Sequence, residues 1–130
     1  MAVDVHVVTP EREIWAGPAM QVIAHGIDGD VGILSGHAPL LIQLTIGPLR
    51  IQQEDESWQR AVVDGGFLHV STEEGETRVD VLATNGHLEQ EIDVDAVQRR
   101  LEELRASGSD DDPHRADQIA SAEARLALRG

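Results

Sequence analysis

The chain has 130 residues, with 24 acids against 10 bases and a formal charge of −14. So acidic a surface repels phosphate backbones and anionic lipid, which argues against nucleic acid as a partner and favours either plain solubility or a basic partner surface. Without cysteine there can be neither disulfide nor thiolate metal site, and with only Trp15, Trp58 and Phe67 as aromatics the core must be built from Val, Leu, Ile and Ala.

The first part reads as short strands broken by turns. Val3-Asp4-Val5-His6-Val7 alternates apolar and polar residues, the period of a half-buried strand. Met20 to Ala24 is a second strand. Gly29, Gly32 and Gly36 then punctuate a stretch that also holds Asp28, Asp30, His37 and Pro39, and they call for positive-φ turns or close backbone approach. Strands follow at Leu40 to Leu44 and Leu49 to Gln52, split by Gly47-Pro48. Trp58 to Val63 and Phe67 to Val70 flank an Asp64-Gly65-Gly66 turn, and Val79 to Leu82 closes the series. Turn signals about every ten residues predict an antiparallel β-sandwich or barrel over residues 1–88.

Residues 89–130 change period. Asp93 is placed to cap a helix, with Ile92 before it able to staple onto Val97. Val94, Val97, Leu101 and Leu104 form one helical stripe. Gly108 reads as the stop and Ser109-Asp110-Asp111-Asp112 as a polar linker. Asp112 then caps a second helix, with Pro113 in its first turn and Ala116, Ile119, Ala120, Leu126 and a few more alanines on a thin apolar face. The short connection favours an antiparallel hairpin. Half-burying the first stripe contributes on the order of 4–6 kcal/mol, and ordering each residue costs roughly 1–2 kcal/mol, so the hairpin is weakly held and a partner can move it.

Several chemistries lack their residues. No serine or cysteine sits in a nucleophile elbow, and the six histidines have no His-x-x-x-His spacing. Asp28-Gly29-Asp30 lacks the remaining ligands of a calcium loop, and residues 26–36 lack the Gly-Lys-Ser/Thr ending of a phosphate loop. No apolar run approaches the roughly 20 residues that span a bilayer, and no secretory leader is evident.

One family matches the order of these blocks. Val8-Thr9-Pro10-Glu11, Ile14-Trp15-Ala16-Gly17, the run from Gly29 to Leu41 and Asp64-Gly65-Gly66-Phe67-Leu68, followed by an acid-capped helical pair, resemble the epsilon subunits of bacterial F-type ATP synthases. The resemblance spans nearly the whole chain. It implies a non-catalytic subunit at the foot of the central stalk, on the cytoplasmic face of the cell membrane. Such a subunit is bound to the gamma subunit and the c-ring, couples ring rotation to ATP synthesis, and has a hairpin that folds on the sandwich or extends toward the alpha/beta head to restrain hydrolysis.

By position, the resemblance makes Asp30 the contact to the polar loops of the c-ring. It assigns His37, Ala38, Pro39, Leu40 and Asp64 to the gamma-facing and ring-facing rotor surface, and Arg115, Arg125 and Arg129 to an inhibitory helix. It implies no cofactor. Some members bind ATP through an Ile/Leu-Asp-x-x-Arg-Ala segment; here Ile92-Asp93-Val94-Asp95 runs into Ala96-Val97 without the arginine, which argues against ATP on this hairpin. Two readings from other classes stay open at this point. One is a small sandwich enzyme using His37 with Asp28, Asp30 or Asp64; the other is an acidic adaptor with a helical tail.

Overall fold

The computed structural model describes residues 2–107 and 112–129. Seven strands are followed by a 3-10 turn and two helices: β1 (Val3–Val8), β2 (Glu13–Gly26), β3 (Gly29–Leu34), β4 (Leu40–Gln53), β5 (Trp58–Glu73), β6 (Glu76–Ala83), β7 (Gly86–Leu88), the turn at Glu89–Glu91, α1 (Val94–Ala106) and α2 (Pro113–Arg129). The expected sandwich and helical pair are both present. The stop expected at Gly108 and the linker residues Ser109, Asp110 and Asp111 lie outside the described residues.

Three long strands build both layers. The N-terminal half of β2 pairs with β1 and the C-terminal half with β3 and β4. Likewise β5 gives its first half to β7 and its second to β6, while β4 follows it from Trp58 to Val70. One layer therefore runs β2–β1–β6–β5–β4 and the other β3–β2–β4–β5–β7. The β1–β6 pair is parallel; the rest are antiparallel. Between the layers lies an aliphatic core that includes Val3, Val5, Val7, Val22, Ile33, Leu49, Ile51, Leu68, Val70, Val79 and Val81. The alternation read in Val3 to Val7 is this burial pattern.

Two expected breaks are bends instead. Leu40 to Gln53 is one strand through Gly47-Pro48, because β4 leaves β2 there: the pairing passes from Ala24↔Leu49 to Gly26↔Leu44. A proline costs no ladder bond on an edge so vacated. Asp64-Gly65-Gly66 is likewise no reversal. It is the point where β5 crosses from one layer to the other, and Gly65 and Gly66 take φ of 90° and 121° to do so. The block read as turns around Gly29 to Gly36 contains β3, with Gly32 opposite Ile23 inside it.

Helix α2 lies against β4, β5 and the 3-10 turn, and α1 packs on α2. Asp93 caps α1 by accepting from the Ala96 amide at 3.1 Å, and Asp112 accepts from the His114 amide at 2.9 Å. Leu101 and Leu104 are buried, whereas Val94 stays exposed at the start of α1. The expected face of α2 holds in part: Ile119 and Leu126 are half-buried and Ala122 is buried, but Ala116 and Ala120 are exposed, and Arg125 is buried beside Ala122. A charged side chain holds the inner position because a carboxylate waits beneath it.

Candidate functional site

Three separate surfaces carry the residues of interest. The first is the tip of the β2–β3 hairpin. Asp30 pairs with His25 across the two strands, and its carboxylate lies 2.7 Å from His25 Nδ1 and 3.6 Å from an Arg50 guanidinium nitrogen. All three side chains are partly exposed. The carboxylate is thus oriented at the rim beside exposed Ile27, and it is presented with two basic neighbours rather than alone.

The second surface is the outer face of the layer built from β4, β5 and β6. Phe67 stands opposite Leu82, and Leu41 lies diagonally across on β4. Their neighbours Leu68 and Val81 point into the core, so these three point out, with 48, 53 and 64 % of their surfaces exposed. Apolar stripes of this kind on an acidic surface are common docking faces in proteins. The segment His37-Ala38-Pro39-Leu40 leads directly into this one. It is fixed by the Gly36 amide donating to Thr77 Oγ1 at 2.7 Å and the His37 amide donating to the Leu34 carbonyl at 3.1 Å. His37 Nδ1 is 2.7 Å from the Ala38 carbonyl. Since a carbonyl only accepts, Nδ1 carries the proton.

The third surface is covered. Beneath α2, Arg125 grips Asp64 through two parallel bonds of 2.8 and 2.9 Å and reaches His87 Nδ1 at 3.0 and 3.2 Å. Burial, then the Arg125 charge, pushes the His87 imidazole below the usual histidine range. A cavity of about 560 Å³ lies alongside, between the helices and the sheet, lined in part by Ile46, Val97, Leu104 and Asp117.

The 3-10 turn that leads to the helices is strapped to the sandwich. Arg60 binds Glu89 in a two-pronged pair, Arg12 binds Glu91 at 2.9 Å, and Gln59 meets Gln90 at 3.0 Å. The arginine hydrogen bonds hold both carboxyls below the usual range.

These placements separate residues that the sequence had grouped. His37 to Leu40 sit beside the exposed stripe, but Asp64 lies under α2 with its carboxylate fully occupied. The inhibitory-helix candidates are engaged inside the chain in this posture. Arg125 is buried on Asp64; Arg115 donates to the Leu104 carbonyl at 2.8 Å, and Arg129 to the Glu89 carbonyl at 3.3 Å. The histidine–aspartate pairing imagined for His37 goes to other partners, Asp30 to His25 and Asp64 to Arg125. Sequence reasoning missed the stripe and the strap. Phe67 and Leu82 were legible in principle as the outward members of alternating strands; Arg12 and Glu91, far apart in the chain, left no signal.

Fold and surfaces define a docking module: a sandwich that presents an apolar face on one side and carries a strapped helical arm on the other. Residues 2–89 match the beta-sandwich domain of the ATP synthase delta/epsilon chain. The chain is 37% identical over 119 residues to the ATP synthase epsilon chain of Streptomyces coelicolor, covering 90% of this chain and 93% of the relative. To that of Thermobifida fusca it is 40% identical over 124 residues, covering 94% and 88%. Among solved structures it is similar to a chain of the Euglena gracilis mitochondrial ATP synthase OSCP/F1/c-ring assembly, with a TM-score of 0.71 and 25% identity over 96% of this chain and 75% of that one. The chain therefore belongs to the ATP synthase epsilon family, whose members are non-catalytic subunits of the complex.

Proposed function

We propose that this protein is the rotor-stalk coupling subunit of a proton-translocating ATP synthase, working at the cytoplasmic face of the cell membrane. In this reading the sandwich, residues 1–88, grips the gamma subunit with the face that carries Leu41, Phe67 and Leu82, flanked by His37 to Leu40. The β2–β3 tip turns toward the c-ring, where the oriented Asp30 carboxylate meets basic groups of the polar loops through charge-assisted hydrogen bonds. Residues 89–130 form the regulatory arm. Extended toward the alpha/beta head, α2 would present Arg115, Arg125 and Arg129 and restrain hydrolysis.

The exposed stripe is the observation that carries this reading. It is apolar, it continues from a fixed loop, and it lies on the side of the sandwich away from the arm, so it stays available in either posture. The test is Phe67→Asp combined with Leu82→Asp. Both side chains are already exposed, so the fold tolerates the change, while a gamma interface would have to desolvate two carboxylates. The double variant should remain folded by circular dichroism and lose co-purification with gamma. Wild-type retention of gamma would defeat the assignment of this face.

A further inference from the structure

The arm is held by more than apolar contact. Arg125 is only 6% exposed, and its guanidinium is aimed from its own helix by Ser121, whose hydroxyl and carbonyl oxygens accept from Nη1 at 2.6 and 3.1 Å. From that position it binds both oxygens of Asp64 on β5. Its Nε and Nη2 both point at His87 Nδ1 on β7. A guanidinium can only donate, so Nδ1 must be the unprotonated ring nitrogen for the contact to exist.

We infer that Asp64, His87 and Arg125 form an acid-released latch that keeps α2 docked on the sandwich, with His87 as the sensor. Protonation of Nδ1 removes the lone pair that receives Arg125 and sets a second positive charge against the guanidinium. The departure of α2 relieves both.

The groups around His87 support that outcome. Arg125 from α2 and Arg12 from the β1–β2 loop disfavour its charged form. Asp64 from β5 and Glu91 from the 3-10 turn favour it, but Arg125 occupies both oxygens of the first and Arg12 binds the second. Arg100 of α1 and His114 and Asp117 of α2 line the adjoining cavity. An undocked His87 titrates near the ordinary value of about 6.5, and the docked one below it. The undocked state therefore binds more protons in that window. Docking is fully favoured above about pH 6.5, is lost as pH falls below it, and levels off under the docked value.

The chain contains no cysteine, so Glu54→Cys and Ala127→Cys, both at exposed positions, give two unique spin-label sites on the sandwich and on α2. Their separation in the isolated full-length chain reports docking without any partner. The result therefore stands apart from the gamma-binding reading. At pH 8 one docked distance is expected; at pH 5.5 a longer, broader population should appear at its expense. His87→Gln keeps an acceptor but cannot titrate, so it should stay docked at both values. His114→Gln should behave as wild type. Arg125→Gln should be undocked at both, with circular dichroism showing an intact sandwich. The latch is overturned if wild type keeps the docked distance at pH 5.5, if it lacks one at pH 8, if His87→Gln follows the wild-type pH response, or if Arg125→Gln remains docked.

Discussion

Replacing Gly66 by alanine tests the crossing point of β5, on which both the sandwich and the arm depend. The backbone there has φ of +121°, a region that L side chains rarely adopt, and a Cβ would stand 2.1 Å from the Leu82 carbonyl oxygen and 2.8 Å from Ala83 Cα. Both obstacles are backbone atoms of β6, so no side-chain rotation relieves them. The strands must part by roughly 1 Å, given normal carbon–oxygen contact distances. Backbone strain costs about 1–3 kcal/mol, and the loss of one or two ladder bonds between Gly66 and its partner Ala83 adds about 0.5–1.5 kcal/mol each. The sum is on the order of 1.5–6 kcal/mol, a large share of the roughly 5–15 kcal/mol that stabilises an ordinary domain.

Gly29→Ala is the matched control. Its φ is +120°, but nothing lies within 4 Å of the added carbon, so it should incur the strain alone, about 1–3 kcal/mol. Urea unfolding of the two variants, with equal slopes, measures the difference. Gly66→Ala should have the lower midpoint. Because Asp64 lies two residues upstream, α2 should also lose hydrogen-exchange protection in that variant only. Coincident midpoints would show that β5 and β6 are not in contact as described.

Three further outcomes are expected. A chain ending at Ile92 should keep the strand signal of the full protein in circular dichroism, since the aliphatic core is closed by the seven strands; collapse of that signal would refute two separable parts. Asp30→Arg, an exposed change at the hairpin tip, should leave the isolated chain folded but weaken proton pumping in the reconstituted complex, and wild-type pumping would count against the c-ring contact. Glu89 and Glu91 have folded pKa values lowered by Arg60 and Arg12, so their contribution is present above the ordinary carboxylate range and lost as pH falls through the lowered values. The strap should therefore outlast the latch on acidification. Carboxyl titration by NMR should show Glu89 returning to the ordinary range in Arg60→Gln.

Local pattern made much of the architecture legible. Alternation in Val3 to Val7 and Val79 to Val81 is visible without coordinates because a sheet with one buried face demands it. Asp93 and Asp112 announce their helices because a cap acts within three residues of itself. The same locality explains the failures. Gly47-Pro48 and Asp64-Gly65-Gly66 look like reversals because glycine and proline punctuate most chains. Whether such a site reverses a strand or hands it to another layer depends on partners dozens of residues away.

Arg125 shows the division most clearly. By itself the sequence determined an acidic, aliphatic-cored strand domain with a marginal helical tail, since composition, period and capping act over a few neighbours. An arginine on such a tail reads as a free surface charge. Only the tertiary structure decided that it turns inward, because its value rests on Asp64 and His87, 61 and 38 residues earlier in the chain. The pairing that makes a buried charge tolerable is a matter of distance in space, which no spacing along the chain encodes.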